Sequence, residues 1–124
     1  MAATMRDLKV WQEAVALGAE VVRAIRQNAK RETKVVNDQI MLTALNAAAT
    51  IADGYARYTA PEQRQLYRSA KRDLLRLETQ LAVARQADLI SAASHTDLTA
   101  RVQSVLRLLG GYLVYLERQV TGGT

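Results

Sequence analysis

Cysteine is missing altogether from the 124 residues. Its absence removes disulfides, thiol nucleophiles and thiolate metal sites, and it fits a reducing, cytoplasmic setting. Proline occurs once, at Pro61, and glycine 6 times, so the breakers that punctuate a β protein are scarce. Histidine also occurs once. With no second histidine within helical reach, His95 reads as a solvated or capping residue beside Thr96 and Asp97 rather than a ligand. No apolar run approaches the roughly 18 residues of a membrane helix, and no charged start with an apolar stretch marks a signal peptide. Gly-rich phosphate loops, nucleophile elbows and zinc spacings are absent. Asp53, Glu62, Asp73 and Glu78 do not form the Glu-x-x-His pairs of di-iron bundles. The chain is therefore expected to be no enzyme, to need no cofactor or metal, and to have neither a small-molecule substrate nor a membrane partner.

What is present is a surplus of helix formers, with 21 Ala and 16 Leu. Apolar periodicity resolves four helices, at about 8–28, 35–57, 60–87 and 92–119, in a single domain spanning 1–124. Asp7 is a plausible N-cap for the first. Leu8, Trp11, Val15, Gly18, Val22 and Ile25 then alternate by three and four as its core seam, with Gly18 where a neighbour can approach closely. On that pattern Trp11→Ala should be the most damaging truncation on this helix. The second helix aligns Val36, Ile40, Ala44, Ala47, Ile51 and Tyr55, and Gly54 marks its end. Thr59-Ala60-Pro61-Glu62 is a capping box with proline harmlessly in the first turn. Tyr67, Ala70, Leu74, Leu77, Leu81 and Ala84 form the third seam. The fourth helix starts at Ser91 or Ser94, carries Leu98, Val105, Leu109, Tyr112 and Leu116, and dissolves in Thr121-Gly122-Gly123-Thr124. Matched lengths and short connections predict an all-α, antiparallel up-down-up-down four-helix bundle.

There is more apolar surface than one bundle needs. Val10, Ala14, Leu17 and Val21 make a second row on the first helix, turned by roughly 60–120° from the Trp11 seam. Leu106 and Leu113 widen the stripe of the fourth helix on one side, Leu108 and Tyr115 on the other. Val10, Leu17, Val21, Leu106 and Leu113 are the expected subunit interface, since extended apolar patches on small domains usually mark association. The Gly110-Gly111 pair fits either close packing of another helix there or a kink.

The polar features are fewer. Gln39, Asn46, Thr50 and Asp53 form a row on the second helix, either a solvated face or a hydrogen-bonded contact. Glu78 lies near the third seam and is expected to sit in a structural ion pair. The charge balance is 17 Lys+Arg against 12 Asp+Glu, a net +5. Residues 59–88 hold six of those cations, and Arg64, Arg68, Lys71, Arg72 and Arg76 occupy the flank turned away from the seam. Spacing by four sets Arg64, Arg68, Arg72 and Arg76 about 6 Å apart along the helix, suited to a phosphate backbone. Lys30, Arg31 and Lys34 make a second cluster. No base-reading motif is visible, so RNA or DNA binding would be driven by charge and shape. Tyr58 and Tyr67 can add base stacking as a minor contribution, although Tyr67 fits the core better.

Asp7-Leu8-Lys9-Val10-Trp11, Gln39-Ile40, Ile51-Ala52-Asp53-Gly54 and Leu77-Glu78-Thr79-Gln80-Leu81, in that order, resemble the bacterial family of 23S rRNA intervening-sequence proteins. The likeness runs from Arg6 to about Leu116. It departs from the usual pattern where Thr50 and Asp53 replace an asparagine and a glutamate, and where the first loop lacks its proline. The resemblance implies a four-helix bundle assembled as a homopentamer, with no established activity. It also implies kinship to the accessory variability proteins of diversity-generating retroelements, which are basic pentamers thought to bind nucleic acid.

Overall fold

The computed structural model describes residues 4–122. Four α-helices follow one another: α1 Lys9–Gln27, α2 Lys34–Tyr55, α3 Ala60–Gln86 and α4 Ala92–Gly122, with short 3-10 turns at Met5–Asp7 and Arg31–Thr33. No strand occurs among the described residues. Within the same limits, no helix is long and apolar enough to cross a membrane. α1 packs on α2, α2 on α3, α3 on α4, and α4 returns to α1, enclosing one core.

The helix ends follow local chemistry. Asp7 does not cap α1; its carboxylate accepts from the Thr4 backbone N–H at 3.1 Å and so closes the preceding 3-10 turn, leaving Leu8 at the N-cap. Thr59 caps α3, its hydroxyl oxygen accepting from the Glu62 N–H at 3.3 Å while the hydroxyl donates to the Glu62 carboxylate at 2.8 Å. Between the rival serines it is Ser91 that caps α4, accepting from the Ser94 N–H at 3.0 Å. The end of α3 is a left-handed cap on a non-glycine residue: Asp88 has φ 62°, and the Leu89 N–H reaches back to the Ala84 carbonyl at 2.8 Å. α4 continues as helix through Gly122, further than its tail composition suggests, and Gly123 and Thr124 lie outside the described residues.

α2 ends at Tyr55, one residue after Gly54 and where the sequence places its end; Gly54 itself is helical, with no left-handed turn. It serves close approach instead. A β-carbon there would stand 2.8 Å from Cε1 of Tyr67, whose buried ring meets Tyr112 edge-on at 5.4 Å.

The seams of α2 and α3 are as expected in the main, although Val36 is exposed and Tyr55 half-buried. The seam of α1 holds only in part: its Leu8, Gly18 and Ile25 are buried, but Trp11 and Val22 are half-buried and Val15 is 42% exposed, while the second row of Val10, Ala14, Leu17 and Val21 is buried throughout. The apolar arc of α1 is wide enough to permit either row to face inward. Contact with α2 on one side and α4 on the other puts the Val10 row at the centre and leaves the Trp11 row on the flank. Three of the five expected interface residues, Val10, Leu17 and Val21, are therefore core. The other two, Leu106 and Leu113, are half-buried and pack against that same core.

Candidate nucleic-acid interface

α3 buries Tyr67, Ala70, Leu74, Leu77, Leu81 and Ala84, which turns its opposite flank outward. Arg68, Lys71, Arg72 and Arg76 are exposed and Arg64 is half-buried. Arg64, Arg68 and Arg72, together with Pro61 and Gln65, line one shallow concavity of about 450 Å³. Three of the five predicted basic residues thus share one surface feature at the capped start of α3, while Lys71 and Arg76 lie outside its wall.

Its charge is not uniform. Arg64 Nη1 donates to both carboxylate oxygens of Glu117 on α4, each at 3.3 Å, and Arg68 Nη2 donates to the same carboxylate. One anion therefore holds two guanidinium groups, leaving a net single positive charge at that end of the flank. Among the described residues Lys71, Arg72 and Arg76 form no ion pair. Asp73 interrupts the row; burial raises its carboxyl above the usual range, and Arg76 and Arg72 oppose that rise. Glu117 is 53 residues from Arg64 in sequence, and no local pattern announces the pairing.

The remaining polar candidates resolve differently. Among the described residues Glu78 has no ion-pair partner; it accepts a hydrogen bond from Gln103 Nε2 at 3.0 Å. A side chain at the bundle edge meets the amide of the facing helix before it meets any cation. Gln39, Asn46 and Asp53 are exposed and Thr50 is half-buried, so the row on α2 is a solvated face within this chain. His95 is half-buried near the start of α4. Lys30, Arg31 and Lys34 do not join the α3 row. With Arg26 they line a separate hollow between α1 and α2, where Lys34 pairs with Asp38.

That α1–α2 side also carries part of the exposed apolar surface, the rest including Leu75 and Val83 on α3 and Val114 on α4. Val15, Gly18, Val22, Ala44, Leu45 and Ala48 line a groove of about 450 Å³, and Leu42 and Leu45 are half or more exposed beside it. A β-carbon on Gly18 would meet the Ala44 carbonyl at 3.8 Å, an ordinary contact. Among the described residues no other helix comes within 4 Å of where β-carbons would sit on Gly110 and Gly111, so none of them uses the space these glycines leave.

No curated protein matches the chain. The family described as 23S rRNA-intervening sequence protein matches residues 6–111, which takes in α1, α2, all of α3 with its arginine row, and α4 as far as Gly111. Glu117 lies beyond the matched span. On a match of that extent, the chain belongs to the 23S rRNA-intervening sequence protein family.

Proposed function

We propose that this chain is a non-enzymatic, oligomeric binding protein of the cytoplasm that holds the phosphate backbone of RNA or DNA on the outward flank of α3 without reading its sequence. The observation carrying the proposal is the single concavity lined by Arg64, Arg68 and Arg72, continued by unpaired Lys71 and Arg76 on a chain of net charge +5. Guanidinium groups in register along a helix neutralise successive phosphates and release counterions, a contribution that needs no base contact. The kinship that the family likeness implies with the accessory variability proteins points the same way.

The bundle is proposed to be antiparallel and up-down-up-down. Two cross-helix bonds support this: Arg64 near the start of α3 meets Glu117 near the end of α4, and Glu78 further along α3 meets Gln103 further back along α4. Assembly is proposed to be homo-oligomeric, a pentamer by preference from the family likeness. Its supporting surface is the α1–α2 face bearing Val15, Leu42 and Leu45 rather than the Val10 row, which is already buried. Light scattering showing a stable monomer at micromolar concentration would remove the oligomer from the proposal.

The binding test is a fluorescence anisotropy titration at two salt concentrations. Changing Arg64, Arg68 and Arg72 to glutamine should weaken binding and flatten the dependence of log affinity on log salt, by about 0.9 per lost phosphate contact on duplex DNA or about 0.7 on single strands. Equal slopes for wild type and the triple variant would favour the alternative, a protein-interaction oligomer whose positive charge is incidental; the apolar α1–α2 groove is what supports that second reading.

A further inference from the structure

We infer that the ligand of the α3 flank is a single strand, and that Tyr58 is the platform on which one of its bases stacks. This rests on the phosphate-binding reading above and narrows it.

The chain has 5 Tyr and 1 Trp. Tyr67 is buried, and Trp11, Tyr55 and Tyr112 are half-buried. Tyr115 is half-exposed, and its ring is engaged edge-on by Tyr112 at 6.4 Å. Tyr58 stands apart at 101% exposure, with both ring faces open.

The segment carrying Tyr58 is held on both sides. The Arg57 N–H donates to the Gly54 carbonyl at 3.2 Å, and Gln63 Nε2 on the first turns of α3 donates to the Arg57 carbonyl at 3.0 Å. Immediately after Tyr58, Thr59 caps α3. The backbone beneath the ring is therefore already held, so stacking has to order only the Tyr58 side chain.

Tyr58 stands near the arginine concavity, outside its wall: Pro61 is part of that wall, and three peptide steps keep the Tyr58 backbone within about 11 Å of Pro61. From Arg72 to Pro61 the groove runs about 17 Å along the helix, at 1.5 Å per residue. A basic groove with an open aromatic ring close by suits unpaired strands, because each unpaired base offers a free π face. A duplex keeps its bases stacked internally and presents edges and phosphates, so the Tyr58 ring adds nothing to duplex binding. At the same end Arg57 is exposed, its charge offset by the Glu62 carboxylate in the first turn of α3.

The test compares wild type, Tyr58→Ala and Tyr58→Trp by anisotropy on one short mixed sequence, presented as single-stranded RNA, single-stranded DNA and duplex DNA. Wild type should prefer the single strands. Tyr58→Ala should weaken single-strand binding by about 5- to 10-fold, the lower part of the range for losing one stacked base. Duplex affinity should stay within about twofold, and the salt slope should not change, since no phosphate contact is removed. Tyr58→Trp should retain the single-strand preference. An equal loss on RNA and DNA strands identifies any single strand as the ligand; a loss on RNA alone narrows it to RNA. If Tyr58→Ala binds single strands like wild type, or loses as much on duplex, the inference is overturned while the phosphate-binding reading stands. Wild type binding none of the three probes at low salt overturns both. Circular dichroism of the variants confirms folding, which a fully exposed side chain should not disturb.

Discussion

Replacing Gly54 by alanine sets two effects of known size against each other at one buried point. In an exposed helix interior the change gains about 1 kcal/mol from backbone propensity. At Gly54 the new methyl carbon would lie 2.8 Å from Cε1 and 3.0 Å from Cδ1 of Tyr67, and 3.3 Å from Cβ of Leu66. These atoms have little freedom to withdraw. Tyr67 is 1% exposed and its ring is backed by Tyr112 at 5.4 Å. Overpacking of this kind costs about 1–3 kcal/mol, so the net change should be a loss of about 0–2 kcal/mol, centred near 1. Thermal unfolding by circular dichroism should register a centred loss as a midpoint about 4 °C lower. Gly110→Ala is the matched control, because nothing stands within 4 Å of its added carbon. It should raise the midpoint through propensity alone. A Gly54→Ala protein as stabilised as Gly110→Ala would refute the close-approach argument. A loss on Gly110→Ala that appears only at concentrations where the protein assembles would show that another copy packs there.

Leu17→Ala should cost about 2–5 kcal/mol in chemical denaturation and exceed the cost of Trp11→Ala, since Leu17 is 1% exposed whereas Trp11 lies on the half-buried flank; the reverse order would return Trp11 to the core. Burial pushes the Tyr67 hydroxyl well above its ordinary value near 10, with Tyr112 and Tyr55 adding to the rise. The neutral form is therefore the one the fold favours: its contribution is intact below pH about 10 and is lost as pH climbs beyond that. The unfolding midpoint should fall more steeply above pH about 10 for wild type than for Tyr67→Phe, and parallel profiles would contradict this. Glu117→Gln should tighten nucleic-acid binding by releasing Arg64 and Arg68, steepening the salt slope by about 0.7 for each guanidinium that takes up a single-strand phosphate. Its thermal midpoint should barely move, because partly exposed ion pairs contribute about 0–1 kcal/mol; unchanged affinity would mean that the two arginines take no part.

The chain's chemistry without its fold already determined the all-helical class, the four segments and most of their ends. Those features follow from interactions within a few residues: the Thr59 cap, Pro61 in a first turn, the scarcity of breakers, and the three-and-four spacing of Tyr67 to Ala84 on a helix with only one broad apolar side. The outward turn of Arg68, Lys71, Arg72 and Arg76 was legible for the same reason, since burying one side of α3 fixes the other. The tertiary structure decided whatever depended on a partner distant in sequence. On α1 two apolar rows competed, and only simultaneous contact with α2 and α4 selected Val10, Leu17 and Val21 as core, moving the open apolar surface to Val15, Leu42 and Leu45. Gly54 marked the end of α2 correctly, but its close approach to Tyr67 depended on α3. Glu117 carried no signal at all, because its two arginines reach it from another helix, and their pairing sets how much of the predicted basic flank is left to meet a phosphate.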